Sequence, residues 1–242
     1  MVSTLHNLTT FSRKEFLHER WRYHPGEHVS TLGPTGCGKT TLEFQLLKHT
    51  AKPELQGIVL AIKPKDDTIT EWNKSLKFPI TDRWPPAPLK KALNHKPSGW
   101  IVWPKHQFNP EKDDETLHDE LQKAILDSYK RGKKIIIADE CLGITDELKL
   151  KKELVTVWTR GRSMGTGLWA GTQRPAYVPG QMYDQAHHLF LAYNPDKRGR
   201  QRFDEIGGID RFLVEDIVLN LDKHEFLYIR RDGPVLCKIT AE

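Results

Sequence analysis

Cysteine is scarce in the 242-residue sequence: Cys37, Cys141 and Cys237 stand far apart and fall into no metal-ligand spacing. A cysteine-built metal site is thereby excluded, and a reducing, cytoplasmic environment is expected. His187-His188 brings no third ligand nearby, so a histidine metal site is not expected either. Long apolar runs are also missing. The best of them, such as Ile135-Ile136-Ile137-Ala138, have the length of a strand and fall far short of a membrane span. Residues 1–20 mix charges with apolar positions and lack the continuous apolar core of a signal peptide. No internal repeat and no low-complexity tract is evident. Charge of one sign is not in large excess: 37 Lys and Arg against 32 Asp and Glu leave +5. That balance permits a polyanionic partner without requiring one.

What is present centres on Gly33-Pro34-Thr35-Gly36-Cys37-Gly38-Lys39-Thr40, which fits the phosphate-binding loop G-x-x-x-x-G-K-[ST]. Small residues let backbone N–H groups turn inward around the oxygens of a triphosphate. Lys39 would bridge the β- and γ-phosphates, and the Thr40 hydroxyl would hold Mg²⁺. The expected ATP contacts are therefore Gly33, Pro34, Thr35, Gly36, Cys37, Gly38, Lys39, Thr40 and Thr41. Context agrees: His28 to Leu32 reads as a strand, and Thr41 to Leu47 as a helix with apolar residues at helical spacing.

About a hundred residues later, Lys133-Lys134-Ile135-Ile136-Ile137-Ala138-Asp139-Glu140 reads as a buried strand delivering two acids at its C-terminal end. Asp139 would complete the Mg²⁺ shell, and Glu140 would orient or deprotonate an attacking water. An acidic pair there implies hydrolysis more than transfer to a small molecule. The Asn-Lys-x-Asp signature of GTPases is absent, since Asn73-Lys74 runs into Ser75-Leu76, and no LSGGQ-like stretch is found. A further strand, Gly167 to Thr172, ends in Gln173, whose amide can bond both a γ-phosphate and the lytic water. Just upstream, Arg160-Gly161-Arg162 offers guanidinium forks suited to phosphoryl oxygens, often supplied by a neighbouring subunit.

The remaining pattern alternates strands and helices. Strands are expected at 57–62, 100–103 and 188–192, and helices at 10–17 (Ser12 and Glu15 forming a capping box), 66–75, 113–131 and 147–162. Between 78 and 110 prolines accompany Trp84, Trp100 and Trp103, a composition expected to pack aromatic loops over a sheet edge. Residues 225–229 and 235–239 flank Arg231-Asp232-Gly233-Pro234 and read as a hairpin. The fold class is α/β: a mainly parallel sheet, helices on both faces, and a C-terminal antiparallel hairpin.

The loop Gly33–Thr40, the strand ending Asp139-Glu140, Arg160-Gly161-Arg162 and the strand ending Thr172-Gln173-Arg174-Pro175 resemble the FtsK/HerA superfamily over roughly residues 28–210. The resemblance implies a RecA-like ATPase domain over 28–242, with an N-terminal extension 1–27 and an insertion around 78–110. It implies ATP and Mg²⁺ as ligands, Lys39 and Thr40 on nucleotide and metal, Asp139 on Mg²⁺, Glu140 activating water, Gln173 as sensor, and Arg160 or Arg162 as arginine finger. It further implies a homo-oligomer, usually a hexameric ring, around double-stranded DNA. Unlike the large chromosome translocases, the sequence shows no membrane segment and no evident DNA-reading winged helix, which favours a minimal, single-domain motor of the packaging type, acting in the cytoplasm (a host's, if viral), with a docking protein at a capsid or membrane complex. The best place for non-specific phosphate contacts is the basic stretch Tyr193-Asn194-Pro195-Asp196-Lys197-Arg198-Gly199-Arg200-Gln201-Arg202. Two other readings stay open: an ATPase that remodels or assembles proteins, and a nucleotide-dependent switch with negligible turnover.

Overall fold

The computed structural model describes residues 8–88, 96–231 and 235–241. One ten-stranded sheet runs through it. The strands are β1 (Thr9–Phe11), β2 (Val29–Leu32), β3 (Gln56–Leu60), β4 (Ile80–Thr81), β5 (Gly99–Val102), β6 (Lys134–Ala138), β7 (Gly167–Thr172), β8 (His188–Leu191), β9 (Phe226–Arg230) and β10 (Val235–Ile239). Their spatial order is β1-β10-β9-β8-β2-β7-β6-β3-β5-β4. β9 runs against both of its neighbours and every other pairing is parallel. The expected α/β architecture, with its antiparallel C-terminal pair, is therefore observed. Turn residues 232–234 of the expected hairpin lie outside the described residues.

Helices α1 (Arg13–Glu15), α2 (Lys39–Thr50), α3 (Asp67–Leu76), α4 (Pro110–Arg131), α5 (Lys151–Arg160), α6 (Gln181–Asp184), α7 (Lys197–Gln201) and α8 (Arg211–Leu219) surround the sheet. Local chemistry sets their ends. The Asn109 side chain accepts from Lys112 N to start α4, Pro110 suits the first turn, and Gly132 stops the helix at φ 69°. Asp66 caps α3 in the same way, accepting from Ile69 N at 3.0 Å. Because successive strand residues face opposite sides, Ile136 joins one core with Leu121, Leu154 and Leu168, whereas Ile135 and Ile137 join the other with Leu42, Leu46 and Trp169. A strand apolar on both faces has to be central in a sheet with helices above and below.

Three expectations are corrected. Residues 9–11 form a strand beside β10, and the helix begins only after Ser12, although the capping box stands: Ser12 Oγ accepts from Glu15 N and Ser12 N donates to Glu15 Oε2. The expected helix 147–162 is broken. A π-helical turn, Gly143–Glu147, precedes it, Lys149 adopts φ 56°, and α5 gives way to a 3₁₀ turn at Gly161–Met164. A left-handed lysine cannot sit inside an α-helix, and its apolar neighbours Leu148 and Leu150 gain burial in exchange. The basic stretch after Tyr193 is not an open loop, as described below. In the proline-rich segment Trp84 is buried and its Nε1 donates to Asp127 of α4 at 3.0 Å, while Trp103 Nε1 donates to Lys63 O at 2.8 Å. These rings hold the β4–β5 edge of the sheet.

Candidate nucleotide site

β7 lies between β2 and β6, so the C-terminal ends of three adjacent parallel strands deliver Gly33, Gln173 and Asp139-Glu140 to one crevice. Ligands of open α/β sheets bind at such ends. The Gly33–Thr40 loop turns through Gly36 at φ 76° and Gly38 at φ 94°, a backbone that a side chain would strain. At Gly33 a Cβ would lie 2.6 Å from Ala192 Cβ and 2.9 Å from Cys37 Sγ, so the loop can close only without one.

Lys39 is buried, and its ammonium donates to the carbonyls of Gly33 at 2.8 Å and Pro34 at 2.9 Å. Thr40 Oγ1 donates to Asp139 Oδ2 at 2.7 Å. Gln173 joins the two halves of the crevice: its Nε2 donates to Glu140 Oε2 at 3.0 Å, and its Oε1 accepts from the Thr35 hydroxyl. Thr35, Gly36, Gly38, Thr41 and Asp139 share a cavity of about 320 Å³. Cys37 is buried, which pushes its thiol pKa up and keeps it neutral.

Several members of the site had no signature in the sequence. Lys63, just beyond β3, brings its ammonium 3.5 Å from Glu140 Oε2 and 3.7 Å from Asp66 Oδ2. His224, from the loop before β9, packs so near Gly38 that a Cβ there would lie 3.1 Å from its Nδ1. It also borders a second cavity of about 260 Å³ beside the loop, with Cys37, Tyr193, Leu221 and Lys223. Glu43, one turn beyond Thr40, is buried close behind Asp139. Burial, reinforced by Asp139, raises the Glu43 pKa well above the usual carboxylate value. Burial likewise raises that of Asp139, with Thr40 and Lys39 acting in the opposite direction. The fold rule that chemistry gathers at strand ends would have pointed to Lys63; nothing local marks His224.

The donor set suits Mg²⁺. A hydroxyl and a carboxylate are hard oxygen donors, and this ion takes few protein ligands beside phosphate and water. Among the described residues no three His, Cys, Asp or Glu side chains gather into a group that would hold a metal alone.

Arg160 and Arg162 are elsewhere. They precede β7, whose first residue is at the opposite end of the sheet, so roughly 17 Å of strand separates them from the crevice. Both are exposed, and Arg162 lines a cavity of about 300 Å³ with His28, Gln185, His187 and Arg231. The basic stretch is likewise reorganised. Asp196 caps α7, Arg200 bonds Glu215 at 2.8 Å and the Asn194 carbonyl at 3.0 Å, and Arg202 is partly buried and bonded to Glu205 and to the Pro175 and Val178 carbonyls. Only Lys197 and Arg198 of its four cations remain fully exposed, with Arg174, Tyr177 and Tyr193 exposed at the same end of the sheet.

Fold and crevice together define a P-loop NTPase architecture. Solved structures carry the comparison further. The genome packaging NTPase B204 from Sulfolobus turreted icosahedral virus 2 in complex with sulfate has a TM-score of 0.60 at 18% identity, over 88% of this chain and 96% of that one. Its complex with AMP gives 0.60 at 17% identity, over 89% and 98%. The cytoplasmic domain of the Thermomonospora curvata type VII secretion ATPase EccC gives 0.55 at 16% identity, over 90% of this chain and 25% of that one. At these identities the likeness is one of fold, shared with a viral genome packaging NTPase and a secretion ATPase. No family model and no curated protein matches the chain. Among the described residues no helix is long and apolar enough to cross a membrane.

Proposed function

We propose that this chain is an ATP-hydrolysing motor that translocates or packages double-stranded DNA as a ring. The observation that carries the reading is Gln173, at the tip of the strand between the loop strand and the acidic strand, bonded to both Thr35 and Glu140. An amide so placed meets the γ-phosphate of ATP on one side and the lytic water on the other.

The loop Gly33–Thr41, through its backbone N–H groups (Pro34 has none), and the Lys39 ammonium hold the triphosphate. Mg²⁺, held by Thr40 and Asp139, would neutralise phosphate oxygens. Glu140 accepts a proton from water as the water oxygen bonds to the γ-phosphorus and the bond to the β–γ bridging oxygen breaks. ADP leaves with that electron pair, and the proton passes to inorganic phosphate or solvent. Arg160 or Arg162, at the far end of its own sheet, serves the nucleotide of a neighbouring protomer. Lys197, Arg198 and Arg174 contact DNA phosphates without reading bases. Residues 28–242 act as one ATPase unit, with 1–27 extending it and the aromatic segment around 78–110 inserted into it. The place of action is the cytoplasm, a host's if the source is viral, with a docking protein at a capsid or membrane complex.

The test is ATP hydrolysis with Mg²⁺ at low salt, with and without duplex DNA. Stimulation by DNA is expected, and Glu140→Gln should lower single-turnover hydrolysis by about 10²–10⁴ while still binding nucleotide. Full-rate hydrolysis by a ring without nucleic acid would sink the DNA reading in favour of a protein-remodelling ATPase. Equally slow turnover in wild type and Glu140→Gln would leave only a nucleotide switch.

A further inference from the structure

Arg202 makes all its contacts within the protein. Its Nε and Nη2 donate to the two carboxylate oxygens of Glu205 at 2.7 and 2.9 Å, and its Nη1 donates to the carbonyls of Pro175 at 3.0 Å and Val178 at 2.5 Å. The guanidinium lies over the Tyr183 ring, 4.8 Å from its centre, and the Tyr183 hydroxyl donates to the same Pro175 carbonyl at 3.0 Å. A planar fork with five donors can serve two carbonyls, a carboxylate and a ring face together, whereas an ammonium cannot.

The position of this clamp is what matters. Pro175 is two residues past Gln173, so the clamp fixes the exit of the strand whose tip touches Thr35 and Glu140. On its other side Arg202 follows directly on α7, whose first turn carries the exposed Lys197 and Arg198. The two segments lie side by side: a Cβ on Gly199 would lie 2.7 Å from Asn194 Nδ2 and 3.5 Å from Pro175 Cβ. A push on α7 therefore reaches Pro175 through the charged hydrogen bond of Arg202 to its carbonyl.

We infer that Arg202 is a positioning residue that couples phosphate-backbone binding at Lys197 and Arg198 to the placement of Gln173, so that DNA on α7 sets the rate of hydrolysis. The inference rests on the reading above, that the chain hydrolyses ATP and that duplex DNA stimulates it. The docked strand would shift α7, the Arg202 fork would carry that shift to the 175–178 turn, and Gln173 would meet Glu140 in its productive arrangement.

The test compares the full chain with Arg202→Lys, Arg202→Met and Glu205→Gln. ATP hydrolysis is measured with Mg²⁺ with and without saturating duplex DNA, alongside separate measurements of DNA and nucleotide affinity. Wild type should be stimulated by DNA at least about fivefold. Arg202→Met should bind DNA and nucleotide within about twofold of wild type, yet its stimulation ratio should fall close to one. Arg202→Lys keeps the charge but not the fork and should recover less than half of the ratio. A purely structural role would lower basal and stimulated rates together; a ratio unchanged in folded Arg202→Met, or fully restored by Arg202→Lys, overturns the inference. Should Arg202→Met fail to fold, Glu205→Gln decides: it leaves the two carbonyl contacts but weakens the fork, and an unchanged ratio there overturns the inference too. Wild type that ignores DNA would instead overturn the reading on which the inference rests, whatever the variants do.

Discussion

Glu43 shows how single residues in the crevice constrain one another. It is 1% exposed on the inward face of α2, and neither of its carboxyl oxygens has a hydrogen bond of ordinary geometry among the described residues; the Thr31 hydroxyl only leans toward it. Burial first, and Asp139 beside it second, favour the protonated form of Glu43, with Lys39 acting in the opposite direction. A group whose pKa folding raises favours the folded state below its unfolded pKa, and that advantage is lost as pH rises through the folded value. Glu43 therefore weighs against stability increasingly as pH climbs above its ordinary 4.5. Glu43→Gln keeps the shape without the titration. In metal-free protein at pH 8 it should melt about 2–4 °C above wild type, equivalent to about 1 kcal/mol in a chain of this length. The gap should close as the pH is lowered toward that value, and a gap that widens in acid would rule the account out. Glu43 also marks what could be read from the sequence at this scale. Gly33 to Thr40 and Asp139-Glu140 were legible because the chemistry requires adjacent residues on one loop or one strand end. Glu43, Lys63 and His224 enter through packing of distant segments, and no local spacing records that.

Among the elements, β7 does most to assemble the crevice. All six of its residues are buried, and it holds the acidic strand one strand-width from the loop strand. The strand must be bare at Gly171: a Cβ would lie 2.6 Å from Asp139 O, 2.8 Å from Asp139 Oδ1 and 2.8 Å from Glu43 Oε1. Two of those atoms belong to acidic side chains, that of Glu43 buried and that of Asp139 partly so, and one to the backbone immediately after β6, so the neighbours cannot simply swing away. Gly171→Ala should cost about 1–3 kcal/mol of stability, and it should lower Mg²⁺-dependent hydrolysis by more than tenfold through displacement of Asp139. Thermal melting and steady-state hydrolysis check the two effects, and a variant with normal stability and normal turnover would show that the contact is not tight. Buried strands such as β3, β6 and β7 were legible from continuous apolar runs. The break in the helix expected over 147–162 was not, because it depends on the left-handed Lys149 and on where Leu148 and Leu150 find burial. The short β4 and the helix α8 were missed for a related reason: a two-residue strand carries no periodicity, and the value of α8 lies in burying Val214, Ile217 and Val218.

At the scale of the whole molecule, the candidate functional residues divide between two ends of one sheet. Lys39, Thr40, Asp139, Glu140 and Gln173 gather at the C-terminal ends of the parallel strands, whereas Arg160 and Arg162 emerge where β7 begins. A side chain spans a few ångströms and the sheet far more, so these arginines cannot reach the nucleotide of their own chain. They can complete a site only head-to-tail, the end of one protomer facing the crevice of the next, which is the type of interface that closes into rings. This yields a test that needs no knowledge of ring size. Glu140→Gln protein lacks the base but keeps its arginines, and Arg162→Ala protein lacks the arginine but keeps its base. Each should be nearly inactive alone. Mixed in equal amounts and allowed to exchange, they form some interfaces with an intact base on one side and an intact arginine on the other. If sites fire independently, random mixing makes about one interface in four competent, and hydrolysis should recover toward that fraction of wild type. The same experiment with Arg160→Ala separates the two candidates, since only the variant that is inactive alone and rescued in the mixture carries the acting arginine. No recovery with either variant, in mixtures shown to exchange subunits, would mean that neither arginine works across an interface.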